Sequence, residues 1–183
     1  MPDGLSRSRC AELVLPHLNS AYNLARWLSR NDADAEDIVQ DALERALKYA
    51  ASLQGTNAKA WFLTIVRHAC YDWMGRNRPA ELMRGDGTEA IDDAVDSRPT
   101  PEESAIAEAD AQALVQAIAA LPVGFREVLL LREQEDMSYR DIARVVDIPI
   151  GTVMSRLARA RGLLRQSPLL HAVLPQSMRT VAK

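Results

Sequence analysis

Cysteine is scarce in this chain: Cys10 and Cys70 stand alone, and they form no C-x-x-C pair. His17, His68 and His171 are equally scattered. Such spacing gives neither a disulfide framework nor a ligand set, so reduced, structural thiols and no metal or cofactor are expected. Aromatic residues fill only 5% of positions, and no stretch alternates apolar and polar residues for long enough to suggest a sheet. Long apolar runs are missing as well. The opening MPDGLSRSRC lacks an apolar core of signal-peptide length, and no later run approaches the ~18 residues of a membrane span. These absences predict a cytoplasmic protein that is not itself a membrane protein. Glu12, His17 and Asp72 are the best material for a hydrolytic site, yet nothing arranges them with a nucleophile or metal, so no enzyme and no small-molecule substrate are expected.

What is present is a soluble composition, 48% hydrophobic and 26% charged over 183 residues, enough for one domain or two small ones. The net charge of -3 hides a segregation along the chain. Thr152 to Lys183 carries six bases and no acid, and Lys59 to Arg84 carries five bases against Asp72 and Glu81. Conversely, Gly85 to Ala111 carries nine acids against Arg98 alone, and Asn31 to Leu47 six acids against Arg45. Blocks of opposite sign suit several different partner surfaces, although any one block alone would also suit a solvated face.

Apolar residues recur at helical spacing, which predicts an all-α chain. Leu18, Ala21, Tyr22, Ala25 and Leu28 make one stripe. Ala35, Ile38, Val39, Ala42 and Ala46 make a second, after the acidic start NDADAED. Phe62, Ile65, Val66, Ala69 and Trp73 make a third, expected to stop at Gly75 and Pro79. The stripe opposite the third contains Thr64, Arg67, His68 and Tyr71, with Arg76 and Arg78 just beyond. Cations mixed with flat rings suit an unpaired nucleic-acid strand, since phosphates need positive charge and extruded bases need stacking partners. From Pro79 to about Glu103 the chain is rich in Gly, Pro and acid, which reads as a flexible linker. Leu114, Ala117, Ile118 and Leu121 then resume the helical spacing of a second domain.

Within that domain, MSYRDIARVVDIPIGTVMSRLARARGLLR has the layout of a helix-turn-helix. Ser138 and Asp141 resemble a capping box, Asp147 tolerates a left-handed turn, and Pro149 suits the start of the next helix. In the second helix, Val153, Leu157, Ala160 and Leu164 share an inward face, while Thr152, Ser155, Arg156 and Arg159 share the opposite one. Guanidinium groups can bond a guanine edge bidentately, and short hydroxyls can bond bases or phosphates. Gly151 leaves room for a phosphate at the helix N-terminus. The helix alone would equally suit an arginine-rich solvent face; the helix and turn before it point to DNA.

SYRDIARVVDIPIGTVMSRLARAR resembles the promoter -35 reading motif of extracytoplasmic-function (ECF) sigma factors, the specificity subunits of bacterial RNA polymerase. DAEDIVQDALERAL resembles their polymerase-binding helix, and AWFLTIVRHACYDWMGRNRP their -10 segment, in the family's order and spacing. The resemblance implies a first domain over residues 1–79, an acidic linker over 80–103, a helix-turn-helix domain over 104–167 and a tail over 168–183. It implies that Asp37, Gln40, Asp41 and Glu44 contact core RNA polymerase and that Gly151, Thr152, Ser155, Arg156 and Arg159 read the -35 element. It further implies that Lys59, in the loop before the third helix, joins Thr64, Arg67, His68, Tyr71, Arg76 and Arg78 on melted -10 DNA. An anti-sigma factor is the implied regulator. Two departures stand out: Met154 sits where relatives often carry Lys, and His68 where Asn is common. The rival reading is a stand-alone helix-turn-helix transcriptional regulator, which would use the same recognition helix without polymerase.

Overall fold

The computed structural model describes residues 7–53, 57–83 and 104–171. Among them all regular structure is helical. The first group comprises α1 (Arg7–Val14), α2 (Leu18–Ser29), α3 (Asp32–Lys48), α4 (Ala58–Asn77) and the short α5 (Pro79–Met83). The second comprises α6 (Ser104–Ala120), α7 (Val123–Glu133), α8 (Tyr139–Val146), α9 (Ile150–Gln166) and α10 (Pro168–His171). Most of the acidic linker, residues 84–103, and most of the tail, residues 172–183, lie outside the described residues. Residues 80–83, expected to be linker, belong to α5.

Local chemistry sets the helix ends. Arg30 turns left-handed at φ 59° to end α2, and the Asn31 side chain accepts from Asp34 N–H at 3.1 Å to start α3. Asn57 does the same for α4, accepting from Ala60 N–H at 3.0 Å. α4 passes Gly75 and ends at Asn77, inside the expected GRNRP stop, and Pro79 opens α5. A single glycine costs a helix only about 1 kcal/mol relative to alanine, too little to end a 20-residue helix by itself.

The predicted inward stripes of α2 and α3 meet in one core, where Ala21, Ala25, Ala35, Ala42 and Ala46 are fully buried. Small residues at these seams let the helices approach closely, and Leu24, Leu28, Phe62, Leu63 and Val66 fill the space between. Each fully buried large side chain contributes about 1.5–3 kcal/mol. Both thiols are inside, and burial pushes each above its usual range. Ile65 and Trp73, expected in the third stripe, are only half-buried at its rim.

The two groups are not apart. α4 packs on α8 and α2 on α7, so every residue of α7 from Val123 to Leu131 is buried, Arg126 and Glu127 included. A helix covered all round must satisfy its polar groups internally. Arg126 does so by donating to the carbonyls of Ala119 at 2.8 Å and Leu121 at 2.9 Å, and across the junction to Trp27 O at 3.1 Å. One guanidinium thus caps the C-terminal ends of α6 and α2. Beside this junction lies an open groove of about 540 Å³, its apolar walls formed by Trp27, Leu114, Ile118, Leu129, Leu130 and Leu164.

Candidate nucleic-acid and polymerase interfaces

The α8–turn–α9 unit is built as its residues dictate. Ser138 accepts from Asp141 N–H at 3.1 Å and donates to the Asp141 carboxylate at 2.7 Å. Asp147 takes the left-handed conformation at φ 57°, and Ile148 N–H closes the turn on Ala143 O at 3.1 Å. Pro149 sits at the cap just before α9, its carbonyl accepting from the N–H groups of Thr152 and Val153. Ile142, Val145, Val146, Val153, Leu157 and Ala160 are buried and lock the two helices together.

This packing leaves Gly151, Ser155 and Arg159 exposed and Thr152 half-exposed along one side of α9. Nothing lies within 4 Å of where a Gly151 Cβ would stand, so the helix N-terminus is open to a phosphate. Ser155 Oγ donates to Thr152 O at 3.0 Å, which anchors its hydroxyl and leaves its lone pairs outward. Met154, at the expected lysine position, is 49% exposed. Arg156 lies elsewhere than its helical neighbours suggest: its side chain is 20% exposed and turned inward, 3.7 Å from the Glu127 carboxylate. Arg161 pairs with Glu133 at 2.6 Å.

On α4 the predicted strand-binding residues divide into those facing solvent and those facing the second group. His68 and Arg76 are exposed, and Arg78 lies 5.7 Å over the Trp73 ring. Thr64 returns its hydroxyl to Ala60 O at 2.9 Å. Arg67, Tyr71 and Lys59, by contrast, point at the second helical group. Arg67 contacts Glu127 through Nε at 2.9 Å and Nη2 at 3.4 Å, stacks on Tyr71 at 4.3 Å, and is only 14% exposed. Tyr71 donates to the same carboxylate at 3.0 Å. Burial raises the Glu127 carboxyl above its ordinary range against the pull of Arg67; at Arg67 burial acts to lower the guanidinium, but Glu127 and Tyr71 together outweigh it and hold it above its ordinary range. Burial, with Glu127 second, pushes the Tyr71 phenol up. Lys59 pairs with the Glu135 carboxylate at 2.9 Å and donates to its carbonyl at 2.9 Å.

Along α3, Asp37, Gln40 and Glu44 form an exposed edge. Asp41 is held differently. It pairs with Arg45 at 2.8 Å, and Arg45 reaches Asp72 of α4 at 2.7 Å, so Asp41 belongs to a bridge between two helices. Sequence reasoning missed Arg126, Glu127 and Glu135 as organising residues. The available signal was a charged pair, Arg126–Glu127, inside the otherwise apolar GFREVLLLRE.

A helix-turn-helix with an uncovered polar side, packed against a second helical bundle, is the form of a DNA-binding protein. Residues 13–79 match sigma-70 region 2 and residues 111–164 match sigma-70 region 4. The ECF RNA polymerase sigma-E factor of Haemophilus influenzae is 32% identical over 147 residues, covering 77% of this chain and 77% of that protein. A probable RNA polymerase sigma factor of Xanthomonas campestris, RfaY, is 32% identical over 152 residues, and the chain spans 38% of its length. Among solved structures, the Bartonella quintana sigma factor RpoE, crystallised with the anti-sigma factor NepR, superposes with a TM-score of 0.64. It is 33% identical, with 86% of this chain and 94% of that one covered. The chain belongs to the ECF sigma factors of bacterial RNA polymerase.

Proposed function

We propose that this chain binds core RNA polymerase and directs promoter-specific initiation, with residues 1–79 serving as region 2, 80–103 as linker, 104–167 as region 4 and 168–183 as a tail. The edge of Asp37, Gln40 and Glu44, with Asp41 beside it, docks on the polymerase. Gly151, Thr152, Ser155 and Arg159 read the -35 duplex, and Arg156 supports them from within. Lys59, Thr64, Arg67, His68, Tyr71, Arg76 and Arg78 hold the melted -10 strand. The chain itself breaks and makes no bonds, works in the cytoplasm and needs no cofactor.

The observation that carries this reading is the uncovered side of α9, with Ser155 and Arg159 exposed and a helix N-terminus open to phosphate, in a chain matching both sigma regions. Among the described residues no helix is long and apolar enough to cross a membrane. The solved relative bound to NepR supports an anti-sigma factor as a further partner.

Transcription by core polymerase on a genomic fragment library tests the proposal. Starts that appear only with the chain present are expected. Failure to associate with core polymerase would refute it, and tight binding to duplex DNA by the chain alone would favour the stand-alone regulator.

A further inference from the structure

The uncovered side of α9 is not wholly polar. Ile150 and Met154 stand on it with 40% and 49% of their surfaces exposed, while Val153, Leu157 and Ala160 supply the buried face. Ile150 opens the helix and Met154 follows one turn later, so the two form a row beside Gly151 and Ser155. This is the end of a recognition helix whose side chains reach base edges in the major groove. A single exposed apolar side chain needs no explanation, but a row of two beside the hydrogen-bonding groups of Ser155 and Arg159 limits what can lie against it. Base edges in the major groove present donors and acceptors, with one apolar exception, the C5 methyl group of thymine. An apolar side chain pressed on a donor or acceptor strips its water and returns no hydrogen bond. Pressed on a methyl group, it loses nothing.

We infer that Met154, backed by Ile150, is a specificity-determining residue that reads a thymine in the -35 duplex through its C5 methyl group. This rests on the assignment of α9 to -35 DNA. The two side chains have different parts. Met154 is unbranched and polarisable, so it can settle on a methyl group whose position shifts with local groove width. Ile150, branched at Cβ, is stiff and forms a fixed wall behind it. Arg159 and Ser155 read by hydrogen bonding, and the row of Ile150 and Met154 reads by apolar contact, so one helix distinguishes two kinds of base edge. Met154 carries no charge, and its contribution therefore persists at salt concentrations that weaken phosphate contacts.

The test uses the full chain with core polymerase on a promoter fragment whose transcription depends on the chain. Each thymidine of its -35 region, on either strand, is replaced in turn by deoxyuridine, which removes the methyl group and keeps every hydrogen bond. At one position or more, transcription by the native chain should fall roughly three- to fivefold, the scale of one buried methylene. Ile150→Ala/Met154→Ala should transcribe the thymidine and deoxyuridine templates alike. Met154→Lys should also lose the discrimination, and the added cation should steepen the salt dependence of promoter binding by about 0.9 in log-log slope. Both residues are exposed, so melting followed by circular dichroism should match the native chain. Equal transcription of all thymidine and deoxyuridine templates by the native chain overturns the inference. The -35 assignment then survives if Arg159→Ala still lowers transcription, and falls as well if it does not. Discrimination that persists in the double alanine variant gives the methyl group to another residue and overturns the inference. Loss of core-polymerase assembly by that variant in a pull-down would make the row a protein interface and overturn it equally.

Discussion

The Arg126 guanidinium donates to the main-chain oxygen of Trp27 at 3.1 Å, joining the end of α2 to a helix nearly a hundred positions later in the chain. The same group holds Ala119 O and Leu121 O. A charged donor shared among buried carbonyls contributes more than a neutral hydrogen bond, about 1.5–3 kcal/mol for each such contact in isolation. Arg126→Met preserves bulk and leaves the carbonyls unsatisfied. We expect it to destabilise the chain by about 2–4 kcal/mol, read by urea unfolding. A loss under about 0.5 kcal/mol would show that the carbonyls find water instead.

Arg159 and Arg156 should separate function from folding. Arg159 is exposed, so Arg159→Ala should leave the unfolding midpoint unchanged while lowering promoter-dependent transcription roughly tenfold, the scale of one good base contact. Arg156→Ala removes a partner of the buried Glu127, so the unfolding midpoint and transcription should fall together. Equal thermal stability of the two variants would contradict the inward placement of Arg156.

On α3, the paired reversal Asp37→Lys/Glu44→Lys should abolish assembly with core polymerase in a pull-down and leave melting within about 0.5 kcal/mol of the native chain. Asp41→Lys should cost stability as well, because it breaks the pair that sets Arg45 against Asp72. Retained assembly in the double reversal would remove this edge from the docking surface.

Glu135 supplies a pH signature. Burial acts to raise its carboxyl, but hydrogen bonds from Ser20, Lys59 and Asn23 outweigh it and hold the group below the usual carboxylate range. A carboxyl depressed on folding contributes stability above its unfolded value, near 4.3, and loses it as pH falls through the folded one. Glu135→Gln should therefore be less stable than the native chain at pH 7, and the gap should close in acid. A gap that widens below pH 4 would reverse the assigned direction.

Residue spacing alone carried the helices of the first bundle. The seam of Ala21, Ala25, Ala35, Ala42 and Ala46 was present as stripes, and the turn at Asp147 as a residue tolerant of positive φ. These are local properties, set by a 3.6-residue period and by the chemistry of a few capping side chains. The recognition helix was visible for the same reason. Arg67 and Tyr71 lie on the stripe opposite the apolar one, as their spacing indicates, but periodicity could not show that Glu127 of the second helical group meets them there.

The sequence by itself thus determined an all-helical chain, the caps and turn of its helix-turn-helix, and the cationic character of two of its surfaces. Tertiary structure decided that Arg67 and Arg156, distant in sequence and on different helices, share one buried carboxylate at Glu127. Periodicity reports which face of a helix is apolar, but a charged residue leaves water only where a distant partner arrives to neutralise it. That meeting depends on how whole helices pack, and no local window of residues contains it.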